Sequence, residues 1–463
     1  MKRIAFRWES CRRGFVMRRI IALFSVLTIV GCAARSPYDR GYVSQALEEK
    51  TGHALPPPSG SEGMVLPPAV VLEDGLSEDE AVAIALWNNA QFRADMGDLA
   101  LARAGLIESG MLPNPLVSYL NLFGVKGQEG YILWPLDALL QRPKKMAMAK
   151  LDVERVAARL VQSGLTLSRD VLIAYAELVL AESAARIAGE EAVIRGDMAK
   201  IAAARYRSGD ISGLDAASAR VAGLQAEETV LYASRDLQTA RARLTAILGW
   251  GDSPPAFAIV PDPAPLVNEI PLPELIETAC AARTDLRAAQ LEIDAAGARL
   301  GWENAKILKL TATLEGKEKG DAGAFFGPSG KLEIPLFNRN EGGRARAQAE
   351  MEKAARMFVA VRQRIVLEVT EANARLAAAR RALSLLCGQV VPAASEAASR
   401  ARLAYAAGQE PYIVALEAER QLLEARRREA LAAADVRRAD AQLKCGLSSY
   451  QAVPDEGKAE KRG

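Results

Sequence analysis

The chain has 463 residues, of which half are hydrophobic and a quarter are charged, so the composition predicts a folded protein and excludes a disordered one. Lys and Arg total 59 against 57 for Asp and Glu, and this near balance gives no electrostatic reason to expect a nucleic acid as a partner. Aromatic residues make up only 5% of the chain and alanine is very frequent, a composition that favours long helices that pack closely.

The start of the sequence predicts export. Two arginines precede an apolar run at residues 20–30 that is too short to span a membrane, which is typical of a signal peptide. The run leads into LTIVGC, which resembles a bacterial lipobox. We therefore predict a signal peptide over residues 1–31 and a lipid, palmitate included, on Cys32. A plain signal peptide or an N-terminal anchor helix is the alternative. Ala33 follows the cysteine where an aspartate would indicate the inner membrane, so the outer membrane is favoured.

Proline, glycine and charge mark three segments outside the main elements. Residues 32–75 contain the runs PPP and PP and are predicted to be an irregular, lipid-anchored linker. A second proline-rich linker is predicted at residues 251–269, and a charged, disordered tail at residues 448–463. These breaks leave two long segments, residues 76–250 and 270–447, which we predict to be two copies of one structural repeat.

The two long segments resemble each other in the same order along their length. A shift of 194 places Arg93 on Arg287, and a shift of 200 places Pro135 on Pro335. The similarity is weak at any one position, but its constant order indicates an internal duplication.

Each repeat is predicted to open with a helix, at residues 77–111 and 272–305, and to continue with two short strands and two very long helices. No proline occurs from residue 144 to residue 253. Between Met351 and Leu383 apolar residues recur at steps of three and four, as on the contact face of a coiled coil. A helix of about 50 residues would be about 75 Å long, which is too long for the core of a compact domain. The pattern therefore indicates elongated coiled-coil packing.

The reversals of the long helices are predicted from glycine and proline. We expect the chain to turn back near Gly189 in the first repeat and near residues 388–392 in the second. The returning helices are expected to be interrupted at residues 208–210 and 408–411, where glycine or proline weakens the helical hydrogen-bond ladder.

The predicted strands have the pattern of a membrane sheet. Residues 308–315 alternate strictly between apolar and polar side chains, and residues 331–334 continue the alternation, which places one face in an apolar medium and the other in water. Residues 116–123 are apolar almost throughout, and aromatic residues cluster near the strand ends. Ordinary surface hairpins are the alternative. Because four strands cannot close a barrel and an open edge in lipid leaves backbone groups unpaired, several chains must share one barrel.

Taken together, these features resemble the TolC-type outer-membrane efflux family, in its lipidated branch. The resemblance rests on residues 76–92 (LSEDEAVAIALWNNAQF), on residues 334–344 (IPLFNRNEGGR) and on the last helix from Tyr405 to Leu423. It implies a mainly α fold with a small β part. Duplicated long helical hairpins would form a coiled-coil tunnel, and four strands per chain would contribute to a trimeric, twelve-stranded barrel.

The resemblance also implies a function. The chain would be the outer-membrane duct of a tripartite efflux system and would carry small solutes or metal ions from an inner-membrane pump. A homotrimer, a periplasmic adaptor protein, the pump and outer-membrane lipid are the implied partners, and no catalytic residue, cofactor or bound metal is implied.

A gate at the periplasmic end is predicted from two acidic residues. Asp197 aligns with Glu396 at a shift of 199, and both would follow the predicted helix reversals. Three-fold symmetry would arrange them as rings of like charge that select or bind cations. Solvated charges at a helix tip are the alternative.

Other functions find less support in the sequence. His53 is the only histidine and lies in the predicted linker, so histidine-based catalysis and histidine metal clusters are excluded. The cysteines have no CxxC spacing, and the arginines at 426–428 are interpreted as a solvated helix face. The remaining alternative is a lipid-anchored periplasmic coiled-coil scaffold or adaptor without channel activity.

Overall fold

A computed structural model describes residues 35–57, 64–68, 70–121, 128–251, 255–261, 270–318 and 324–450. The predicted signal peptide, Cys32 and residues 451–463 of the predicted tail lie outside these ranges. Among the helices that the structure describes, none combines the length and apolar character needed to cross a bilayer.

Long helices and one small sheet make up the structure. In chain order, the first half contains α1 (Arg40–Thr51), α2 (Glu78–Asn88), α3 (Ala90–Gly110), β1 (Leu116–Asn121), β2 (Gln128–Pro135), α4 (Asp137–Arg207) and α5 (Gly213–Ile247). The second half contains α6 (Leu272–Ala282), α7 (Thr284–Ala305), β3 (Lys309–Glu318), β4 (Ala324–Glu333), α8 (Glu341–Leu385), a π-helical turn (Leu386–Val390), α9 (Val391–Ala406) and α10 (Tyr412–Gly446). The predicted fold class, with duplicated helical hairpins and a small β part, is confirmed.

The chain separates into two compact units. The sheet unit contains the strands and comprises Leu99–Val156, Gln290–Arg356 and the described residues up to Asp39. The helical unit comprises Arg40–Asp98, Ala157–Ala289 and the described residues from Met357 onward.

The strands form one antiparallel sheet in the order β1-β2-β3-β4. Ile132 of β2 lies opposite Val117 of β1 and Leu314 of β3, and Leu310 of β3 lies opposite Leu332 of β4. Because residues directly opposite each other in antiparallel strands share a face, this register assigns each described side chain of the sheet to one of two faces.

The first helix of each predicted repeat is divided in two. Asn89 separates α2 from α3, Arg283 separates α6 from α7, and both have an extended ψ of about 120° (119° and 124°). The Asn89 side-chain oxygen accepts a hydrogen bond from the Phe92 N–H at 3.0 Å and so caps α3. The prediction of unbroken helices at 77–111 and 272–305 was wrong at these two residues. At Asn89 the side chain caps the new helix, and at Arg283 the side chain pairs with carboxylates.

Buried ion pairs fix the break at Arg283. Its guanidinium donates hydrogen bonds to Asp285 at 2.7 Å and to Glu368 of α8 at 2.6 Å. Burial alone would lower the pKa of Arg283, but these two carboxylates raise it above its usual value. The break is therefore packed against α8 by a fully paired charge.

The predicted helix reversals were wrong in position. α4 runs through Gly189 without interruption, and the chain turns back at residues 208–212, where Gly209 has a φ of +83°. In the second repeat it turns back between α9 and α10 at Gly408, whose φ is +75°. The segments that were predicted as mere interruptions of the returning helices are the reversals.

The chain passes through Gly189 and Pro392 as helix because neither residue disturbs a helix enough there to end it. A glycine inside a helix costs only about 1 kcal/mol, which packing against neighbouring helices offsets. A glycine in the left-handed region ends the helix outright. Pro392 does not turn the chain either, because it stands in the first turn of α9, directly after the π-helical turn at Leu386–Val390.

Part of the predicted linker is helical. Residues 40–51 form α1, and its Val43 and Leu47 are fully buried. A Cβ atom on Gly164 of α4 would lie 2.7 Å from the Leu47 side chain, so the close approach of α1 favours glycine there. The prediction that residues 32–75 are irregular was wrong for α1, because apolar residues four apart form a buried stripe.

The start of the predicted tail is held in place. The Tyr450 hydroxyl donates a hydrogen bond to the Leu165 carbonyl at 2.7 Å, and its N–H donates to the Lys50 carbonyl at 2.8 Å. Burial raises the pKa of this tyrosine well above its usual value. The prediction of a disordered tail over 448–463 was therefore wrong for residues 448–450.

Candidate functional site

One face of the sheet is apolar. The residues on it with described side chains are Val117, Tyr119, Gln128, Gly130, Ile132, Trp134, Leu310, Ala312, Leu314, Gly316, Phe326, Pro328, Gly330 and Leu332. None of them is charged, and several are left open to solvent by the described residues: Val117 is 69% exposed, Phe326 70% and Leu332 57%. An apolar face of this kind is what a strand presents to lipid.

The opposite face carries every charge that the structure describes in the sheet. Its residues are Leu116, Ser118, Leu120, Glu129, Tyr131, Leu133, Pro135, Lys309, Thr311, Thr313, Glu315, Lys317, Phe325, Gly327, Ser329, Lys331 and Glu333. Lys309 pairs with Glu333 at 3.0 Å and Lys317 pairs with Glu129, in each case directly across neighbouring strands. With three lysines and three glutamates, this face is polar and electrically balanced, as suits contact with water.

The sheet has two open edges. Among the described residues, β1 pairs only with β2 and β4 pairs only with β3. In hydrocarbon each unpaired backbone group costs several kcal/mol. A sheet with one lipid-compatible face and two open edges therefore requires strands from further chains before it can cross a membrane.

The two helix reversals share a core in the helical unit. It is built from α4, α5, α9 and α10, and its buried members are Met198, Ala202, Ala219, Tyr405, Tyr412 and Ala415. The Arg205 guanidinium lies 5.1 Å from the centre of the Tyr405 ring and donates a hydrogen bond to the Tyr405 carbonyl at 3.3 Å. The hairpin of the first repeat is thus joined to that of the second close to both turns.

Two parallel ion pairs join the same hairpins further along. Arg426 and Arg427 of α10 contact Glu190 and Glu191 of α4, each at 2.8 Å. Glu191 also lies 2.8 Å from Arg195 and its side chain is only 8% exposed. The interpretation of 426–428 as a solvated face was wrong for Arg426, which is half-buried against Glu190. It holds for Arg427 and Arg428, which are exposed, although Arg427 also pairs with the other repeat.

Glu419 of α10 is the most deeply buried carboxylate near these pairs. It is 0% exposed, and Arg402 lies 2.6 Å from it, although neither of its oxygens has a hydrogen bond of good geometry. Burial raises the pKa of Glu419, against the opposing effect of Arg402, Arg426 and Arg195. This group and the two ion pairs form a charged contact between α4, α9 and α10.

The predicted gate residues lie on these helices but take no part in that contact. Asp197 of α4 and Glu396 of α9 are exposed and precede the reversals instead of following them. Each pairs with a cation of its own helix, Asp197 with Lys200 at 2.8 Å and Glu396 with Arg400 at 2.5 Å. Their role as a gate stays a prediction.

A protein-family model matches most of the chain. The model of the family described as outer membrane efflux protein matches residues 132–250 and 275–446. The chain is also 26% identical over 356 residues to the cobalt-zinc-cadmium resistance protein CzcC of Cupriavidus metallidurans, and the matched region is 76% of this chain and 85% of that protein.

Solved structures with the same fold are also similar. A membrane protein from Pseudomonas aeruginosa matches with a TM-score of 0.70 and 20% identity, over 80% of this chain and 92% of that one. The open state of the MtrE outer membrane channel of Neisseria gonorrhoeae matches with a TM-score of 0.65 and 19% identity, over 85% of this chain and 98% of that one. At such identities the likeness concerns the fold.

Proposed function

Because the chain belongs to the outer membrane efflux protein family, it is an outer-membrane efflux duct, and we propose that three copies of it form one channel. The sheet supports the trimer most directly. It has one apolar and one balanced polar face, and its open edges at β1 and β4 need neighbours. Three copies of four strands make a twelve-stranded barrel with the apolar faces outward and the polar faces around the passage.

The long hairpins account for the rest of the path. In this proposal the helical units of the three copies enclose a periplasmic tunnel, and the ends of the hairpins contact an adaptor protein and an inner-membrane pump. The pump supplies the energy, so the duct needs neither a catalytic residue nor a cofactor.

Metal cations are the cargo that we propose for this duct. The support is the similarity to CzcC, whose name states resistance to cobalt, zinc and cadmium. The balanced charges on the polar face of the sheet, with three lysines and three glutamates, present no net barrier to a cation.

The trimer and the channel are tested together. Purified full-length protein should migrate on a gel as a trimer that heating dissociates, and it should form discrete conductance steps in a planar lipid bilayer. Protein that remains monomeric and conducts no ions would instead support the periplasmic scaffold or adaptor.

Cys32 is proposed as the lipidated residue. The change Cys32→Ser should abolish incorporation of labelled palmitate, because the thiol that receives the lipid is absent. The control is Cys387→Ser, which removes an exposed cysteine of the folded part and should leave labelling unchanged. Labelling that persists in Cys32→Ser would exclude this cysteine as the acceptor.

Asp197 and Glu396 are proposed as rings of carboxylates at the periplasmic entrance. The double change Asp197→Ala/Glu396→Ala should weaken block of the single-channel current by a trivalent cation by about tenfold, because two rings of like charge that concentrate cations are lost. The matched control is Glu371→Ala, which removes a carboxylate that likewise pairs with a cation of its own helix (Arg375, 2.8 Å). Equal block in both variants would show that the predicted residues are solvated charges without a role at the entrance.

A further inference from the structure

A groove in the sheet unit continues the apolar face of the sheet. It has a volume of about 430 Å³ and is lined by Leu140, Lys144, Asn304, Ala305, Ile307, Leu308 and Pro335. Leu308 stands two residues before Leu310, so it continues the apolar side of β3, and Pro335 follows the end of β4. The groove thus begins where the face that we assign to lipid ends.

The apolar side chains at this groove have little cover from the chain itself. Leu140 is 58% exposed and Leu308 46%. Beyond Pro335, Leu336 is 68% exposed and Phe337 has no cover at all. Exposed apolar residues next to a membrane face indicate contact with the membrane.

Lysine side chains lie at and near this groove. The Lys144 ammonium donates one hydrogen bond to the Gly301 carbonyl at 3.1 Å, and no described carboxylate lies within ion-pair distance of it. Since an ammonium has three donors, two remain for a ligand. Lys145 and Lys306 both lie over the ring of Trp302, at 5.3 and 3.6 Å from its centre. A tryptophan among lysines is typical of the headgroup level of a membrane.

We propose that this groove binds a phospholipid of the periplasmic leaflet, with an acyl chain on its apolar lining and the phosphate on Lys144. Charge complementarity selects an anionic headgroup, because the unpaired ammonium stands at the rim of the groove. Because the groove continues the apolar face of the sheet, the acyl chain would lie beside the bilayer lipids that contact that face. The inference rests on the proposed channel, whose barrel brings this end of the strands to the membrane surface.

Quenching of Trp302 fluorescence tests the proposal on the purified trimer. A Trp134→Phe background removes the tryptophan on the apolar face of the sheet. A Trp134→Phe/Trp302→Phe variant gives the signal of the tryptophans that remain, Trp87 and Trp250 among them, and this signal is subtracted. Phosphatidylglycerol with brominated acyl chains should quench Trp302 at lower concentration than brominated phosphatidylcholine. Lys144→Gln should reduce this preference by about fivefold, as expected for one lysine at an anionic surface. The matched control Lys353→Gln, an exposed lysine of the same unit, should retain it.

Equal quenching by both lipids, or an unchanged preference in Lys144→Gln, would overturn the proposal. So would a trimer that conducts ions but shows no quenching at all, since the groove would then be covered by a neighbouring copy. Failure of the channel itself is seen separately, because the same preparation would neither migrate as a trimer nor conduct.

Discussion

The change Leu314→Arg is expected to abolish the trimer in the membrane. Leu314 lies near the middle of β3 on the apolar face, between Ile132 of β2 and Pro328 of β4. An arginine on the lipid face of a barrel costs about 2–4 kcal/mol at the bilayer midplane. Three copies would therefore lose about 6–12 kcal/mol, which equals the whole stability of many proteins.

The matched control for this change is Ser329→Arg. Ser329 of β4 belongs to the polar face, opposite Thr313, and the new arginine would lie in water. Outer-membrane fractions should contain the heat-dissociable trimer of Ser329→Arg and lack that of Leu314→Arg. Equal amounts of both trimers would show that the apolar face does not contact lipid.

The sequence predicted the second pair of strands better than the first. In β3 alternation is strict, because every other residue from Leu310 to Gly316 faces away from the charges. In β1 the alternation is hidden, since Leu116 and Leu120 lie on the polar face while Val117 lies on the apolar one. Only the register against β2 separates these neighbours, and register depends on contacts between strands that composition does not encode.

Long-range pairing was the part that sequence patterns could not supply. The periodicity of the long helices predicted that they pack, but not which charges meet. Glu191 and Arg427 are 236 residues apart and belong to different repeats. Arg427 and Arg428 are both exposed, and nothing in the local sequence indicates that Arg427 pairs with Glu191.

Replacement of the two paired arginines Arg426 and Arg427 by glutamate is expected to open the periplasmic end of the channel. In Arg426→Glu/Arg427→Glu, carboxylates would face Glu190 and Glu191 at the positions where cations now lie 2.8 Å away. Ion pairs that are partly exposed contribute about 1 kcal/mol each, and repulsion of like charges costs a similar amount. The two charge changes would thus shift the free-energy difference between joined and separated hairpins by about 3–4 kcal/mol.

Such a shift changes an equilibrium constant by more than a hundredfold, so the mean conductance of single channels should rise clearly. Arg428→Glu is the matched control, because it reverses a neighbouring arginine that is exposed, and its conductance should stay at the original level.

A second pair of changes separates loss of this particular contact from general damage to α10. Adding Glu190→Arg/Glu191→Arg to the Arg426→Glu/Arg427→Glu variant restores two ion pairs, with the cations now on α4 and the carboxylates on α10. Conductance should return toward the original value. If Arg426→Glu/Arg427→Glu conducts like Arg428→Glu, the ion pairs between α4 and α10 do not hold the hairpins together. Increased conductance that the second pair of changes fails to lower would point to unfolding of the helix ends, and circular dichroism of the same trimers distinguishes that case.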